Sequence, residues 1–251
     1  MNFIKKGSRL PGKLKGLLFI CRIDRLVPIK LFNFLAYIAD LSKWISINKK
    51  KCKNDFYTRK FNYKKREFLY EQVINNCSLN TNIDYLEFGV SKGHSFKWWI
   101  NRIKDIDARF YGFDTFTGLP ESWGPFKKGD MGSNNTPPVI DDHRHKFYQG
   151  LFQQTLLTFL SNYDAGKRKV IHMDADIYSA TLYVLTLITP ILKQGDIIFF
   201  DEFNVPLHEF KAFKEWSSSF YIDYEVLGGV NNFYQVAIMI KSRVGKGGFH
   251  S

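Results

Sequence analysis

Four short apolar runs in this chain each carry an acid at the carboxyl end, and each is followed by a segment long enough for a helix. They cover 84–89 with Glu87, 109–114 with Asp114, 170–174 with Asp174 and then Asp176, and 196–201 with Asp201 and then Glu202. A short apolar run without alternation is the pattern of a parallel strand buried on both faces. Strands that alternate with helices build a mostly parallel sheet with helices on both faces. The carboxyl ends then lie along one edge, where such sheets bind ligands. One acid in that place can be a turn or helix cap. Four strand ends sharing the pattern point to a site.

The remaining elements follow from periodicity and punctuation. Helices are expected at about 66–77, 93–103, 152–163, 178–192 and 206–218, with a short strand at 147–148. Two closing strands at 221–227 and 233–240 flank Gly228-Gly229-Val230-Asn231-Asn232, so the pair is predicted to be antiparallel around a glycine turn.

The first run continues as Glu87-Phe-Gly89-Val-Ser91-Lys-Gly93-His-Ser95. A strand, a glycine turn and a helix bring a ligand to the backbone at the sheet edge. The spacing Glu-x-Gly-x-x-x-Gly-x-Ser is not the Gly-x-Gly-x-x-Gly of dinucleotide binders, which argues against a nicotinamide enzyme. Asp114 stands about 20 residues past the turn, where an acid commonly takes a ribose hydroxyl pair. Residues 115–147 form a long irregular stretch of the kind used as a lid or binding loop. Its Asp141-Asp142-His143-Arg144-His145 run reads as a polar loop, because alternating residues on such a segment do not fix a coordination shell.

Asp174 and Asp176 face Asp201 and Glu202 from neighbouring or near-neighbouring strands. Converging carboxylates need a cation, protons or a donor network. A hard divalent ion such as Mg²⁺ meets that need and could hold a substrate hydroxyl. A remaining carboxylate could then take the proton. The alternative is that these acids cap the helices that follow.

Charge is divided along the chain. Residues 1–66 hold 18 Lys/Arg and 3 Asp/Glu, a net of +15, and the rest holds 18 and 21, a net of −3. That speaks against nucleic acid as the main ligand of the core and permits an anionic partner for the arm. Residues 1–26 read as a loosely ordered basic segment and 28–47 as an amphipathic helix begun by Pro28. That helix could dock on the core or on a second subunit, or could lie on a membrane surface or cover the substrate. Lys49-Lys50-Lys51 and Lys64-Lys65-Arg66 read as solvated faces of a connector. Three widely spaced cysteines, Cys21, Cys52 and Cys77, suggest reduced thiols in a cytoplasmic setting. The apolar stretches are too short or too interrupted for a secretory signal or a spanning helix.

The motifs in order resemble a known family. Tyr85 to Ser95 resembles motif I of class I S-adenosylmethionine-dependent methyltransferases. Gly112-Phe-Asp-Thr-Phe-Thr-Gly-Leu-Pro-Glu-Ser-Trp123, Tyr148-Gln-Gly-Leu-Phe-Gln-Gln-Thr-Leu156, His172-Met-Asp-Ala-Asp-Ile-Tyr-Ser-Ala-Thr181 and Gly195-Asp-Ile-Ile-Phe-Phe-Asp-Glu-Phe203 narrow this to a resemblance to the macrocin O-methyltransferase family, whose known members methylate sugar hydroxyls of macrolide and aminocoumarin antibiotics. The resemblance runs from about residue 84 to 240. It implies an α/β, Rossmann-like, seven-stranded and mostly parallel sheet with the last strand antiparallel. It implies that Glu87, Gly89, Ser91, Gly93 and Ser95 surround the methionine part of S-adenosylmethionine, with Asp114 on its ribose and Thr115 beside it. It implies Mg²⁺ on Asp174, Asp201 and Glu202, and Asp176 as general base. The acid pair is often Asp-Asp in relatives and is Asp201-Glu202 here, so the second side chain is one methylene longer.

The expected organisation is a basic helical N-terminal arm over 1–66, a methyltransferase domain over 67–241 and a flexible tail over 242–251. The expected function is Mg²⁺-assisted O-methylation of a sugar or glycoconjugate hydroxyl. The alternatives are methylation of a catechol-like or other small diol, or a catalytically silent cofactor-binding subunit. Expected partners are a small-molecule or glycan acceptor, an anionic membrane touched by the arm, and a second copy in a homo-oligomer, with no nucleic acid.

Overall fold

A computed structural model describes residues 11–121 and 125–243. The expectations for residues 1–10, for Ser122 and Trp123 and for the tail beyond 243 lie outside the described residues. Among the described residues two helices come first, α1 (Gly12–Ile20) and α2 (Ile29–Asn48), linked through a short 3-10 turn at Ile23–Arg25. The stretch expected to be loosely ordered is therefore helical over Gly12–Ile20. Helix α2 starts directly after Pro28, whose fixed φ suits a helix start.

The sheet and its covering helices follow in the order β1 (Lys53–Asn54), α3 (Lys65–Cys77), β2 (Ile83–Phe88), α4 (His94–Arg102), β3 (Arg109–Asp114), β4 (His145–Gln149), α5 (Phe152–Ser161), β5 (Arg168–Met173), α6 (Tyr178–Ile188), β6 (Ile197–Phe200), α7 (Glu209–Ser219), β7 (Ile222–Val230) and β8 (Gln235–Arg243). Across the sheet the strands run β1-β7-β8-β6-β5-β2-β3-β4. Strand β8 is antiparallel to both β6 and β7, and the other pairings are parallel. This is the α/β, Rossmann-like sheet that the sequence predicts, with the last strand reversed. The two-residue β1 adds an eighth strand beside β7.

Every residue of β2 is buried. Its side chains alternate between the two faces, as strand geometry requires. Tyr85 joins the cluster of Tyr70, Trp99, Phe110 and Phe199, while Leu86 and Phe88 join Phe113, Ile171, Val184 and Phe213. Chain order reverses at β2 and β5: the chain builds outward through β3 and β4 on one side and through β5 and β6 on the other. Such a switch point leaves a crevice at the carboxyl ends of the two central strands.

The closing hairpin differs from expectation. Gly228 and Gly229 lie inside β7 and not in the turn. A Cβ on Gly229 would stand 2.5 Å from the Phe233 ring, and one on Gly228 would stand 2.9 Å from Leu69. The glycines are there for close packing. The turn itself uses Asn231, Asn232 and Phe233, all with positive φ, and Asn is one of the few side chains that tolerates this.

That turn holds the chain between α2 and α3 against the sheet. Asn231 donates to the Asn62 carbonyl at 3.0 Å and to Gln235 Oε1 at 2.8 Å, and accepts from the Asn62 N–H at 3.0 Å. Asp55 accepts from the N–H groups of Asn231 and Asn232 and from Lys65 at 2.7 Å. Burial alone would raise the Asp55 pKa, but Lys65 and the two N–H groups outweigh it and hold it below the usual carboxylate value. In the long loop, Arg144 donates to the carbonyls of Ile100, Ile103 and Asp105 and so closes the C-terminal end of α4, with Asp142 as its counter-ion.

Asn231→Ala removes three hydrogen bonds at a position with φ +54. It is expected to cost about 2–4 kcal/mol of unfolding free energy in urea titrations, with Asn231→Gly recovering only the backbone part. The Asp55 carboxyl has a depressed folded pKa, so its contribution is complete above the ordinary Asp value and fades as pH falls through the folded value. Stability measured below about pH 4 should fall more steeply in the wild type than in Asp55→Asn.

Candidate active site

The two central strand ends are in direct contact. The Gly89 N–H donates to the Phe113 carbonyl at 2.9 Å, and the Asp174 N–H donates to the Phe88 carbonyl at 2.9 Å. Gly89 has φ +97, and a Cβ there would stand 1.8 Å from the Asp174 carbonyl oxygen, so no other side chain fits. Beyond this contact opens a cavity of about 490 Å³, within the range of a cofactor-sized site.

One flank of the cavity is the turn after β2. Gly89, Ser91 and Ser95 line it, and Gly93 sits behind with φ +74, under Pro138. Glu87 does not reach the cavity. It is fully buried, accepting from Ser95 at 2.6 Å and from Tyr85 at 2.6 Å, so it fixes Ser95 from beneath. Burial raises the Glu87 pKa, which His172, Ser95 and Tyr85 moderate. Asp114 lines the wall and also closes two turns: its carboxylate accepts from the Ser91 N–H and from the Phe116 N–H, each at 2.7 Å. The turn cap and the cavity-lining acid are one residue. Thr115 lies beside it, donating to the Gly118 carbonyl at 3.0 Å. The long loop supplies a further wall through Leu119, Glu121 and Met131, and Ser91 donates to the Met131 carbonyl.

The opposite flank carries the acids. Asp174, Asp176 and Glu202 line the cavity, and Asp201 lies buried behind them. Burial together with the charges of Asp201 and Asp176 raises the Asp174 pKa well above the usual range. Asp176 has φ +58, and its charge acts on Glu202 across the cavity wall. Burial and the Asp201 charge push Asp176 up to about 7, while burial and the Asp176 charge push Glu202 up to about 8. Tyr234 donates to Glu202 Oε1 at 2.6 Å.

Asp201 behaves differently. Burial alone would raise its pKa, but His172, Arg66 and Tyr63 outweigh it and keep it below the usual value. Tyr63 donates to Asp201 Oδ2, and Arg66 lies 3.5 Å from the same oxygen. Both residues come from the segment expected to be a solvated connector. Arg66 is instead buried, with its guanidinium 4.1 Å from the centre of the Tyr63 ring. A run of three cations reads as surface because nothing in the local pattern separates Lys64 from Arg66. The signal that could have separated them is the register of α3, which puts Arg66 on the same inward face as Leu69, Tyr70 and Val73.

His172 was also missed. It is buried in β5 with both ring nitrogens engaged, one by Tyr85 at 2.9 Å and the other by Tyr70 at 3.2 Å. Glu209 at the start of α7 is buried too, and it accepts from the Glu202 N–H at 2.9 Å.

The donor set fits a hard divalent cation in part. Asp201 Oδ1 is buried without a hydrogen-bond donor, because His172 Nε2 lies 3.8 Å away, too far for one. Glu202 Oε2 is buried without a donor as well. Among the described residues, ligand atoms of His172, Asp174 and Asp201 come within 4.8 Å of one another. Glu202 is not in that group, and its Oε1 is taken by Tyr234.

Residues 86–203 match a family model described as a methyltransferase domain. A search of curated proteins finds no match. Among solved structures, the fold is similar to that of the calicheamicin methyltransferase CalS11, with 21% identity over 70% of this chain and 77% of that one, at a TM-score of 0.53. The O-methyltransferase NovP is similar to the same degree, with 21% identity over 72% of this chain and 79% of that one, at a TM-score of 0.53. An apo structure of CalS11, described as a TDP-rhamnose 3'-O-methyltransferase, covers 82% of this chain and 93% of its own, with 18% identity and a TM-score of 0.50.

Arg66→Met takes a buried guanidinium away from Asp201 while keeping the bulk of the side chain. It is expected to cost about 3 kcal/mol in urea unfolding at neutral pH, because Asp201 loses a cationic neighbour in a buried place. The loss should shrink at acidic pH as Asp201 takes up a proton. A pH-independent change, or none, would contradict the assigned pairing.

Proposed function

We propose that this chain is an S-adenosylmethionine-dependent O-methyltransferase acting on a hydroxyl of a sugar or glycoconjugate. The observation that carries this reading is the division of one cavity into two flanks: a glycine turn with Asp114 on one side, and Asp174, Asp176 and Glu202 on the other. The match of residues 86–203 to a methyltransferase domain supports it. So does the likeness in fold to CalS11, which is described as a TDP-rhamnose 3'-O-methyltransferase. The finer resemblance to the macrocin O-methyltransferase family belongs to the same reading. The net negative charge of residues 67–251 favours a small-molecule or glycan acceptor over nucleic acid.

In this reading Asp114 accepts from the ribose hydroxyls of the donor, through lone pairs left beside its two backbone N–H bonds. The turn from Gly89 to Ser95 holds the methionine end, with Glu87 fixing Ser95 in place. Thr115 supports the ribose side. The acceptor oxygen attacks the sulfonium methyl in line, the carbon–sulfur bond breaks to leave a neutral thioether, and Asp176 takes the hydroxyl proton. The chain's main contribution is alignment and exclusion of water, since the methyl group is already activated. Asp174 and Asp201 are the residues that would hold Mg²⁺, with Glu202, whose Oε2 has no donor, as the third. A bound Mg²⁺ would polarise the acceptor hydroxyl and offset the charge of its alkoxide.

Two measurements test the proposal. Calorimetry should detect S-adenosylmethionine binding to the wild type and to Asp176→Asn with similar affinity, since Asn tolerates the left-handed backbone at that position. Transfer of a labelled methyl group should then be scored against sugar nucleotides, other glycosides and catechols, with the metal removed and Mg²⁺ restored. The expected result is transfer to a sugar hydroxyl, stimulated by Mg²⁺ and reduced about 10²–10⁴-fold in Asp176→Asn. Absence of donor binding overturns the reading. Transfer to catechols alone moves the acceptor class to small diols, and donor binding without transfer to any acceptor favours a silent subunit.

A further inference from the structure

Every residue from Phe19 to Ala36 is exposed. Ten of them are Phe, Leu, Ile or Val, so this stretch carries the apolar content of a core segment with no core to bury it. Phe19, Ile20 and Leu26 expose 73%, 80% and 79% of their surface. Helix α1 has no buried residue and is apolar on all sides but for its lysines. An exposed apolar surface of this extent marks an interaction site.

The stretch is held out from the body by a firm base. The second half of α2 is docked: Tyr37 donates to Glu215 at 2.6 Å, Lys214 pairs with Asp40, Leu41 is buried and Trp44 donates to Tyr224 at 3.0 Å. Trp44 also packs against Phe203, Phe213 and Phe233. The apolar segment is thus the projecting end of an anchored helix and the short helix before it.

Charge decides what covers it. Residues 11–36 contain Lys13, Lys15, Arg22, Arg25 and Lys30 against the single acid Asp24, which is paired to Arg22. Among the described residues, no carboxylate pairs with Lys13, Lys15, Arg25 or Lys30. A symmetric contact between two copies would set these like charges against one another. An anionic lipid surface attracts them and also takes up the apolar side chains between them. No helix among the described residues is long and apolar enough to cross a membrane, so the mode is interfacial.

We propose that residues 12–36 form a membrane-surface anchor that inserts Phe19, Ile20, Leu26 and their apolar neighbours into the headgroup layer of an anionic bilayer, with Lys13, Lys15, Arg25 and Lys30 on the phosphates. The proposal does not depend on the reaction assigned to the cavity.

The test is co-sedimentation of the full-length protein with phosphatidylcholine vesicles that contain or lack phosphatidylglycerol. Two variants accompany it: Phe19→Ser/Ile20→Ser/Leu26→Ser, and Lys13→Glu/Lys15→Glu/Arg25→Glu/Lys30→Glu. All these side chains are exposed, so both variants should keep the wild-type Tm. The wild type should pellet with anionic vesicles, and partitioning should fall about tenfold or more on neutral vesicles, in high salt and in each variant. Pelleting that is absent, equal on both vesicle types, or unchanged in both variants overturns the proposal. So does a dimer in sedimentation equilibrium that the serine variant dissociates while vesicle binding is absent, which would assign the surface to a second copy.

Discussion

The close approach of Gly89 to the carbonyl of Asp174 is the constraint from which the candidate site is built. Two strands that run side by side, with their connections leaving in opposite directions, must open a crevice where they end. Here the strand ends touch so tightly that a single Cβ would not fit. The contact joins two motifs separated by more than eighty residues of chain: the glycine turn that lines one wall and the Asp174–Asp176 pair that lines the other. Asp114 reinforces the first wall by receiving the Ser91 N–H, so the turn is tied to both of its neighbours in the sheet.

Crowding carboxylates at one strand edge has an electrostatic cost, and the chain meets it in three ways. Asp201 is surrounded by Arg66, Tyr63 and His172, and stays charged. Burial and neighbouring charges raise the pKa of both Asp176 and Glu202, which lowers the negative charge they carry. Three buried carboxylate oxygens among the described residues, Asp201 Oδ1, Glu202 Oε2 and Glu209 Oε1, are left without donors. Buried acceptors of that kind are rarely left unmet without reason. Of these residues Glu202 lines the cavity, and Asp201 lies buried behind it. The first of these devices depends on residues that precede the Rossmann-like core in sequence. The turn at Asn231 and Asn232 keeps that preceding segment in place, so the closing hairpin helps to position the counter-charge of the acidic site.

The sheet was legible because parallel strands buried on both faces are uniformly apolar, and because acids at strand ends interrupt that pattern in the same place each time. The reversed last strand was legible from two adjacent runs with turn-forming residues between them. The exact turn was not, since a glycine pair reads alike whether it bends the chain or makes room for a ring such as Phe233. Among the site residues singled out from sequence, Gly89, Ser91, Ser95, Asp114, Thr115, Asp174, Asp176 and Glu202 are gathered around one cavity. Glu87, Gly93 and Asp201 stand behind it. Tyr63, Arg66, His172 and Glu209 were not legible. Helical register records that Arg66 faces inward, but the partners of all four come from contacts across the sheet or between distant segments, which no local pattern records.

The basic arm shows why net charge is a poor guide to purpose. Its cations look equivalent in a count, yet they divide by what surrounds them. Lys65 and Arg66 turn inward, to Asp55 and Asp201, and their charge is spent on acids of the same chain. Lys13, Lys15, Arg25 and Lys30 stand among exposed Phe, Leu and Ile side chains, at a distance along the chain from any cluster of acids. A cation held against a buried carboxylate stabilises the fold and is unavailable to a partner. A cation interspersed with exposed apolar groups does neither job alone, because the apolar surface gains by leaving water and the charge loses by leaving it. An anionic interface between water and hydrocarbon satisfies both at once, and a protein surface of the same sign satisfies neither.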